Sequence, residues 1–270
     1  MVSAALQAEA IQRRLAELGS AWPWRILCLT ETASTNDDVR LLAAEGAEEG
    51  AVVFAERQNH GRGRRGTHWF GVPGSHLLFS LLLTPPVPQQ LWTRLTPLAA
   101  LSVSRAIEDA CRLRPDIKWP NDLLIQGGKV CGILTETFQP ARSRAFAVTG
   151  AGLNVNGKLC DFPECLQQEA TSLEAACGHP LDRARLAAGI LRHWERLYPV
   201  AMTRFPEILA EVRLRTTLLG SVVSIHTAGK RLTGIAEDLG PEGELLLRTE
   251  DGQLQGVHHA HSLRSFPASP

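Results

Sequence analysis

A glycine- and arginine-rich loop between two apolar strands is the feature that most limits how this chain can fold. The loop has the sequence QNHGRGRRGTHW at positions 58–69. Apolar runs at 51–55 and 76–83 flank it, and short apolar runs bounded by turn residues predict buried strands. The glycines let backbone N–H groups turn inward, and the arginines add planar forks of donors that suit carboxylate and phosphate oxygens. The segment therefore predicts two strands joined by an anion-binding loop.

A second segment supplies lysines. It reads KWPND at 118–122 and GKVCGIL at 128–134. The chain has only four lysines, at positions 118, 129, 158 and 230, and arginine fills nearly every other cationic position. Because two of the four lysines fall in this segment, we infer that it needs a compact ammonium donor, where a planar guanidinium would be too bulky.

Composition limits the classes of function. The chain has 270 residues, 44% of them hydrophobic and 21% charged, which is enough to bury a large core. Its formal net charge is zero, so no overall field draws it to nucleic acid or to an anionic membrane, and any grip on phosphate is local. Six cysteines form no CxxC pair and lie mostly in apolar surroundings, which is typical of buried reduced thiols and predicts a cytoplasmic protein.

No targeting or membrane segment is expected. Residues 1–18 carry Arg13 and Arg14 inside a helical pattern rather than ahead of an apolar core, unlike a signal peptide. No apolar run in the sequence is long enough to span a bilayer.

The periodicity predicts an α+β chain with an N-terminal helix within 1–24, a catalytic domain of mixed sheet and helices at 25–215, and a small β-barrel-like domain at 216–270. Predicted helices lie at 3–18, 34–46, 91–111, 181–198 and 202–214, and predicted strands at 25–30, 51–55, 76–83, 117–119, 123–125, 130–138, 145–155, 222–226, 230–237, 244–248 and 253–258. Residues 157–170 have an irregular polar pattern that predicts a mobile loop. Small residues at 150–152 indicate that another group packs against the backbone there.

Each motif also has an interpretation without catalytic meaning. The run GRGRRG at 61–66 matches a dinucleotide-binding pattern, but such a site needs a helix to begin inside the run, and 67–74 is too rich in Trp, Phe, Pro and Gly for a helix. Two other interpretations of this run remain, a solvated basic loop and a nucleic-acid-binding patch. The STN at 34–36 alone is typical of a helix cap, KWPND alone is typical of a strand end and turn, and Cys131 is typical of a small core residue.

Taken together and in this order, the motifs resemble those of the biotin–protein ligases. The resemblance is carried by STN at 34–36, by Q…GRGRRG…W at 58–69, by KWPND at 118–122 with GKVCGIL at 128–134, and by GAGLNVN at 150–156. It covers roughly residues 25–266, including SLRS at 262–265, which is similar to the end of the family's sequences. GRGRRG followed by KWPND at this distance is the most specific part.

The resemblance implies a fold and an activity. The fold is the mixed β-sheet with helices of the biotin and lipoate ligases, similar to class II synthetases, followed by a small SH3-like β-barrel. The activity is an ATP-dependent, AMP-forming ligation in which biotin and MgATP give biotinoyl-5′-AMP and pyrophosphate. The biotinoyl group then passes to one lysine of a biotin carboxyl carrier domain. Biotin, ATP and Mg²⁺ are therefore the implied small molecules, and a carboxylase's carrier domain is the implied partner.

The resemblance also implies roles for individual residues. Lys129, which would bridge the carboxylate and the α-phosphate, and Arg64, which would close over the adenylate, are the implied catalytic residues. The implied biotin-binding set is Ser34, Thr35, Asn36, Gln58, Arg62, Gly63, Arg64, Lys129 and Gly132. The implied nucleotide-binding set is Arg62, Arg64, Arg65, Trp69, Lys118, Asn121 and Asn154. Asp122 is the candidate for magnesium, and because no acid-rich cluster exists, we expect phosphates and water to hold most of the ion's coordination sites.

Other functions remain as alternatives. Some members of this family carry an N-terminal DNA-binding domain, but too few residues precede the first strand here for one, so we expect an enzyme without DNA binding, and homodimerisation is left open. A lipoate or octanoate ligase would share the fold and the adenylate chemistry, yet an aliphatic acyl pocket has little use for the polar STN and Gln58. A nucleic-acid-binding module would use the arginine loop, but Tyr198 is the only tyrosine and the chain lacks overall basicity.

Overall fold

A seven-stranded mixed sheet, a five-stranded antiparallel sheet and the helices packed on them make up the fold. The structure, a computed structural model, describes residues 5–140, 144–227, 229–260 and 262–266, and the side chains of Arg65 and Phe266 lie outside its description. In chain order the elements are α1 (Ala8–Glu17), β1 (Arg25–Thr32), α2 (Thr35–Ala44), β2 (Ala51–Gln58), β3 (His76–Leu83), α3 (Leu95–Cys111), β4 (Asp116–Lys118), β5 (Asp122–Ile125), β6 (Gly128–Phe138), β7 (Phe146–Asn154), α4 (Leu173–Cys177), α5 (Arg183–Thr203), α6 (Phe205–Arg215), β8 (Val222–Thr227), β9 (Lys230–Leu239), β10 (Leu245–Thr249), β11 (Leu254–Val257) and β12 (Ser262–Phe266).

The larger sheet has the strand order β1-β2-β3-β7-β6-β5-β4, in which β1 and β2 are parallel and the other neighbours are antiparallel. Every residue of β3 and β7 is buried. Their sequences, HLLFSLLL and FAVTGAGLN, are apolar or small almost throughout. A central strand covered on both faces needs such a continuous run rather than an alternating one, so the sequence itself places these strands in the middle.

Helices pack on both faces of this sheet. Phe54 of β2 joins the large core formed with α1, α3, α5 and α6. Its neighbour Val53 points to the opposite face and packs with Val39 of α2. Residues 80, 150 and 152 share the face of α2 by the same alternation, and the candidate site lies there, beside the N-terminus of α2.

The smaller sheet has the antiparallel order β11-β10-β9-β8-β12. Tight turns join its strands, and Gly252 between β10 and β11 has a φ of 81°, a conformation that favours glycine. Trp119 donates from Nε1 to the Gly243 carbonyl at 3.0 Å, which fastens this module to the larger sheet. The predicted α+β class with a small C-terminal β-module is confirmed.

A buried ion pair joins α5 to the chain on both sides of the glycine-rich loop. Arg183 donates to both carboxylate oxygens of Glu56, at 2.9 and 3.0 Å, and to the His76 carbonyl at 2.9 Å. The backbone N–H groups of Leu6 and Gly74 donate to the same carboxylate at 2.6 and 2.9 Å. Burial opposes ionisation, but these donors outweigh it and hold the pKa of Glu56 below its usual value. This ion pair therefore fixes the end of β2 and the start of β3, between which the glycine-rich loop lies.

Helix α1 begins later than the sequence predicted. The helix was expected from residue 3, but residues 1–4 lie outside the described part, and Gln7 is extended with φ −118° and ψ 134°. The helix starts at Ala8 because the preceding Leu6 is held by Glu56 instead of by an intrahelical bond. Ile11 and Leu15 then bury the apolar stripe of α1 in the large core.

Other differences lie at element ends and in short elements. The helix predicted from residue 91 is a 3₁₀ stretch at Gln89–Arg94 followed by α3, and Pro97 falls in the first turn of α3, where its missing N–H costs no bond. Helix α5 continues to Thr203, beyond the predicted end at 198. Helix α4 and strand β12 were not predicted, because both are too short to show a period.

The expectation that most cysteines are buried was wrong. All six are free thiols, but Cys131 alone is fully buried, and Cys160 and Cys165 are exposed. Burial raises the pKa of the Cys131 thiol, in agreement with its interpretation as an inert core residue. As for membranes, the helices of the described ranges are all too short or too polar to span one.

Candidate active site

A cavity of about 540 Å³ lies on the α2 face of the larger sheet. It is lined by the predicted site residues Ser34, Thr35, Asn36, Gln58, Arg62, Gly63, Arg64, Trp69, Lys118, Asn121, Asp122, Lys129, Gly132 and Asn154. The side chain of Arg65 lies outside the described part. The structure thus brings together residues that are more than a hundred positions apart in the sequence, from 34 to 154.

Polar side chains interlock at the end of the cavity that the resemblance assigns to biotin, and we call them the biotin-side cluster for that expectation: Thr35, Asn36, Gln58, Ser80 and Glu136. The backbone N–H and the hydroxyl of Thr35 lie 2.8 and 3.0 Å from Gln58 Oε1. Asn36 is 6% exposed and donates from Nδ2 to Glu136 Oε2 at 2.6 Å. Ser80, fully buried on β3, lies 2.7 Å from Thr35 Oγ1 and 2.6 Å from Asn36 Oδ1. The cluster therefore has fixed side chains before any ligand enters.

Ser34 occupies the N-cap position of α2 but does not cap the helix with its side chain. Its backbone is extended, with φ −163° and ψ 130°, and its hydroxyl makes no capping hydrogen bond. The interpretation of the STN motif as a simple helix cap is therefore wrong in its side-chain part. Ser34 is 3% exposed and lines the cavity beside Thr35.

Three glycines form the floor of the cavity. Gly132 and Gly152 are directly paired across β6 and β7, and the Trp69 ring lies over both. A Cβ at Gly132 would come within 2.7 Å of the ring. A Cβ at Gly150 would overlap Asn36 Oδ1, so only glycine lets the amide settle on the sheet. The prediction that small residues near 150 mark a close approach is explained by these contacts.

Lys129 is held between an acid and an aromatic ring. Its Nζ lies 2.8 Å from Asp122 Oδ1 and 5.5 Å from the centre of the Trp69 ring. The ion pair is half-buried, with side-chain exposures of 35% and 23%. A cation over an aromatic face gains some attraction from the ring, so both contacts hold the ammonium toward the cavity. Asp122 entered the sequence analysis as a magnesium candidate, and in the structure its partner is Lys129.

The glycine-rich loop is a short hairpin. Gly63 N–H donates to the Thr67 carbonyl at 2.7 Å, and Trp69 N–H donates to the Gly61 carbonyl at 2.9 Å. A 3₁₀ turn at Arg64–Gly66 forms its tip, and Gly66 has a φ of 73°. Backbone bonds close the hairpin at its base, while its tip projects over the cavity.

Arg62 is clamped by an acid that the sequence analysis did not single out. Both terminal nitrogens of Arg62 donate to Asp37 on α2, at 2.7 and 2.8 Å. This bidentate pair holds the pKa of Asp37 below its usual value and raises that of Arg62. The pair fixes the first half of the hairpin to α2, next to the biotin-side cluster.

Two predicted nucleotide contacts have their amides engaged by the protein. Asn121 donates from Nδ2 to the Ile133 carbonyl at 2.9 Å. Asn154 is 3% exposed and donates from Nδ2 to the Thr171 carbonyl at 2.9 Å, while its Oδ1 lies 3.0 Å from His76 Nδ1. Burial lowers the pKa of His76 to about 4, so its ring is neutral and Nδ1 donates this bond. These amides hold the walls of the cavity in place.

Residues 157–170 form the remaining wall. They contain two 3₁₀ turns. The end of the segment pairs with the backbone of Lys129: the Lys129 N–H donates to the Glu169 carbonyl at 2.8 Å, and the N–H of the following Thr171 donates to the Lys129 carbonyl at 2.9 Å. Phe162 and Leu166 of this segment line the cavity. A loop was predicted here, but its attachment to Lys129 was not, because backbone pairing leaves no side-chain signal.

A resident metal ion has little support in the described residues. Within them, no group of three or more His, Cys, Asp or Glu side chains is arranged to hold one. Asp122 and Glu169 are the two acids among the described residues that line the cavity, and Lys129 contacts Asp122. A magnesium ion that enters with nucleotide phosphates requires no such group, since it keeps most of its waters.

Three functional candidates were missed by sequence reasoning: Asp37, Ser80 and Glu136. Glu136 follows Gly132 and Leu134 at strand period, and both of these line the cavity, so the alternation of β6 was a usable signal. Ser80 is the only polar residue inside the apolar run of β3 after His76, and a lone buried hydroxyl also called for a partner. Asp37 directly follows the STN motif in the first turn of α2, where an acidic residue is typical of a helix N-terminus and indicates no further partner.

Comparisons with known proteins agree with this geometry. The biotin/lipoate A/B protein ligase family model matches residues 28–154. The bifunctional ligase/repressor BirA of Bacillus subtilis is 38% identical over 221 residues, which are 82% of this chain and 68% of that protein. The biotin–[acetyl-CoA-carboxylase] ligase of Mycobacterium tuberculosis is 35% identical over 237 residues, 85% of this chain and 86% of that protein. The biotin protein ligase of Aquifex aeolicus in complex with biotin and ATP superposes with a TM-score of 0.78 and 29% identity, over 90% of this chain and 99% of that one.

Proposed function

Because the chain belongs to the biotin–protein ligase family, we propose that it activates biotin with ATP and transfers the biotinoyl group to a lysine of a biotin carboxyl carrier domain. The observation that carries the proposal is that one cavity contains both the biotin-side cluster and Lys129. The biotin-side cluster suits a small polar ring, and the ammonium of Lys129 suits the two anions that must react. In the first step a biotin carboxylate oxygen bonds to the α-phosphorus and pyrophosphate leaves. In the second step the lysine amine takes the acyl group and AMP leaves.

The biotin-side cluster receives the ureido ring. A ureido group has one carbonyl acceptor and two N–H donors, so its site must offer both kinds of partner. Gln58 turns its Oε1 to Thr35, which leaves its amide nitrogen as a donor. Buried amides and hydroxyls whose positions are fixed bind such a ring with little further loss of freedom.

Lys129 acts where the two anions meet. A carboxylate and a phosphate repel each other, and the charge on the phosphate oxygens must be stabilised as the new bond forms. Asp122 and the Trp69 ring hold the ammonium in place beforehand, so the reaction does not have to reorient it. Arg64 lies at the tip of the hairpin and covers the adenylate, while Arg62, clamped by Asp37, fixes the base of the hairpin.

The nucleotide occupies the other end, between the hairpin and residues 157–170. Trp69 and Lys118 contribute side chains to this end, and Arg65 is assigned to it by family pattern alone. Asn121 and Asn154 act through the backbone they hold, rather than as free nucleotide contacts. Magnesium would enter with ATP as part of the substrate and would neutralise charge on the phosphates, and Asp122 is the carboxylate of the proposed site that would contact it.

The remaining expectations are part of the same proposal. The proposed acceptor is the carrier domain of a carboxylase, and the names of the mycobacterial relative and of a relative from Paracoccus denitrificans specify acetyl-CoA carboxylase. A cytoplasmic location stays a prediction, and homodimerisation stays open. The lipoate or octanoate alternative has no specific contact in its favour, because an aliphatic chain offers no hydrogen-bond partner to the Gln58 amide nitrogen, whose Oε1 is already held by Thr35.

Acid-dependent release of pyrophosphate tests the proposal. The protein is incubated with ATP, magnesium and, in separate reactions, biotin, lipoate or octanoate, without any carrier. We expect release with biotin and none above background with the two aliphatic acids. Release with lipoate or octanoate but not with biotin would assign the protein to the other branch of the family.

A further inference from the structure

Two polar residues outside the predicted site complete a chain of hydrogen bonds that begins at Thr35. Thr35 Oγ1 lies 2.7 Å from Ser80 Oγ, Ser80 Oγ lies 2.6 Å from Asn36 Oδ1, and Asn36 Nδ2 lies 2.6 Å from Glu136 Oε2. Thr35 and Asn36 line the cavity, whereas Ser80 is fully buried in the sheet behind them. The chain therefore connects a group that faces the ligand to a carboxylate that does not.

The carboxylate fixes the direction of every bond in this chain. A carboxylate only accepts hydrogen bonds, so the Asn36 atom that faces Glu136 is the amide nitrogen. With the amide in the opposite orientation, two acceptor oxygens would lie 2.6 Å apart. Asn36 Oδ1 then faces Ser80, which donates its hydroxyl proton to it. Since that hydroxyl has one proton, the 2.7 Å contact with Thr35 is a bond that Thr35 donates.

Thr35 Oγ1 therefore faces the cavity as an acceptor. Its single proton goes to Ser80 at 2.7 Å rather than to Gln58 Oε1 at 3.0 Å, and Gln58 Oε1 accepts instead from the Thr35 backbone N–H at 2.8 Å. Resting on the proposed function, we propose that Glu136 and Ser80 are positioning residues that set the hydrogen-bond polarity of the site, so that Thr35 accepts one ureido N–H of biotin. Neither residue lines the cavity, and both act through Asn36 and Thr35.

This arrangement selects for a ring with an N–H at one defined position. A ring oxygen there would bring two acceptor oxygens together, since the proton of the Thr35 hydroxyl already points to Ser80. A site built to accept a donor rejects an analogue that lacks it far more strongly than an apolar pocket rejects a change of size. The discrimination depends on the direction of the chain rather than on the shape of the cavity.

The direction can be reversed without changing the shape. Glu136→Gln offers an amide that can donate to Asn36, so that Asn36 can turn round, Ser80 can donate to Thr35, and Thr35 can donate to the ligand. Ser80→Ala instead removes the acceptor that holds the Thr35 proton, and a ligand oxygen can then take this proton at the cost only of the 3.0 Å contact with Gln58 Oε1. Thr137→Ala, at the exposed neighbour of Glu136 on β6, is the matched control.

Binding constants for biotin and its two ring isosteres test the proposal. In each isostere an oxygen replaces one ureido N–H. We expect the parent to bind one of them at least about a hundredfold more weakly than biotin. The ratio should fall at least about tenfold in Glu136→Gln and in Ser80→Ala, and stay unchanged in Thr137→Ala. Because biotin binding weakens while chemistry does not, KM for biotin should rise in both variants with little change in kcat for pyrophosphate release.

The outcomes separate this inference from the function on which it rests. A parent that does not bind biotin would overturn both. A parent that binds biotin, with Glu136→Gln and Ser80→Ala weakening biotin and the isosteres by equal factors, would overturn the hydrogen-bond chain alone and leave the proposed function standing. Thermal melting of each variant gives the fraction folded. If Glu136→Gln does not fold, the ratio of isostere to biotin binding in Ser80→Ala tests the hydrogen-bond chain alone.

Discussion

The two ends of the cavity are built in different ways. At the end proposed for biotin, which we call the biotin end, Thr35, Asn36 and Ser80 are between 0% and 6% exposed and are locked by side-chain hydrogen bonds onto buried strands. At the end proposed for the nucleotide, which we call the nucleotide end, the hairpin and residues 157–170 are held mainly by backbone bonds, and the tip of the hairpin at Gly66 is exposed. Lys129 lies between them, on β6 and paired to the end of residues 157–170.

The difference matches the two tasks. A ring that must be recognised in one orientation is best met by groups whose positions are fixed in advance. A reactive mixed anhydride must be covered while it waits and uncovered when the acceptor lysine arrives, so its walls must be able to move. Segments with few buried side-chain anchors open at low cost in free energy.

The largest expected effect is at Lys129, where the two ends meet. Lys129→Ala should lower the rate of adenylate formation by about two to three powers of ten, because it removes a cation held at the developing charge. Lys129→Arg should also form the adenylate more slowly than the parent, since a planar guanidinium does not fit between Asp122 and Trp69. Lys230→Ala, at an exposed lysine of β9, is the control. A parent-like rate with an unchanged melting temperature would remove Lys129 from the mechanism.

Gly150→Ala should damage the biotin end alone. The new Cβ would overlap Asn36 Oδ1, and overpacking of this kind costs about 1–3 kcal/mol. We expect biotin to bind roughly tenfold to a hundredfold more weakly, with KM for ATP unchanged. Gly189→Ala on α5 is the control, because its Cβ would lie 3.5 Å from that of Ala106, an ordinary contact. Equal losses of biotin and ATP binding would mean that the two ends are one coupled structure.

Arg64→Gly should damage the nucleotide end alone. A charge-assisted contact with the adenylate is worth roughly 1.5–3 kcal/mol, or about one to two powers of ten in retention. The variant should therefore release adenylate, and with biotin and ATP it should label an unrelated lysine-rich protein far more than the parent does. Arg57→Gly, at an exposed arginine at the end of β2, should not. Equal labelling at equal adenylate synthesis would move the covering role to Arg62, Arg65 or residues 157–170.

The last expected effect is on stability rather than on ligand binding or catalysis, and it is a pH dependence that arises from His76. Burial lowers the pKa of His76 from 6.5 to about 4. Between these two pH values the His76 ring binds a proton in the unfolded chain but stays neutral in the folded chain. Stability should fall as the pH drops from 6.5 toward 4, by about 3 kcal/mol over the whole window. Denaturant unfolding at pH 7 and pH 5 measures it.

His76→Gln should flatten that dependence, and His226→Gln, at an exposed histidine of β8, should not. Since His76 holds Asn154, which in turn holds the Thr171 carbonyl, acid should loosen residues 157–170 before the biotin end. An unchanged pH slope in His76→Gln would show that another group titrates.

Sequence reasoning reached different depths at the two ends. The buried strands followed from uninterrupted apolar runs, and the site residues followed from motifs, because residue types such as the Gly150 glycine and the Lys129 lysine are visible in a sequence. The contacts between segments that are distant in the sequence could not be predicted in this way. The clamp of Arg62 by Asp37 and the attachment of residues 157–170 to Lys129 depend on which segments the sheet brings together, and the second of these uses only backbone groups.

The engagement of Asn121 and Asn154 shows the same limit. Both amides fit a nucleotide by residue type, and both donate to protein carbonyls in the structure. Asparagine bonds a ligand and a backbone equally well, so its type does not decide between them. Glu136 was the reverse case, because its strand position was informative and its residue type alone was not.

Mass spectrometry of an acceptor tests the central claim most directly. The protein is incubated with biotin, ATP, magnesium and a biotin carboxyl carrier domain, and the intact mass of the carrier is measured. The account predicts a mass increase of one biotinoyl group on one lysine, dependent on both biotin and ATP and strongly reduced with Lys129→Ala. A carrier that keeps its mass, under conditions where a known biotin–protein ligase labels it fully, would contradict the account.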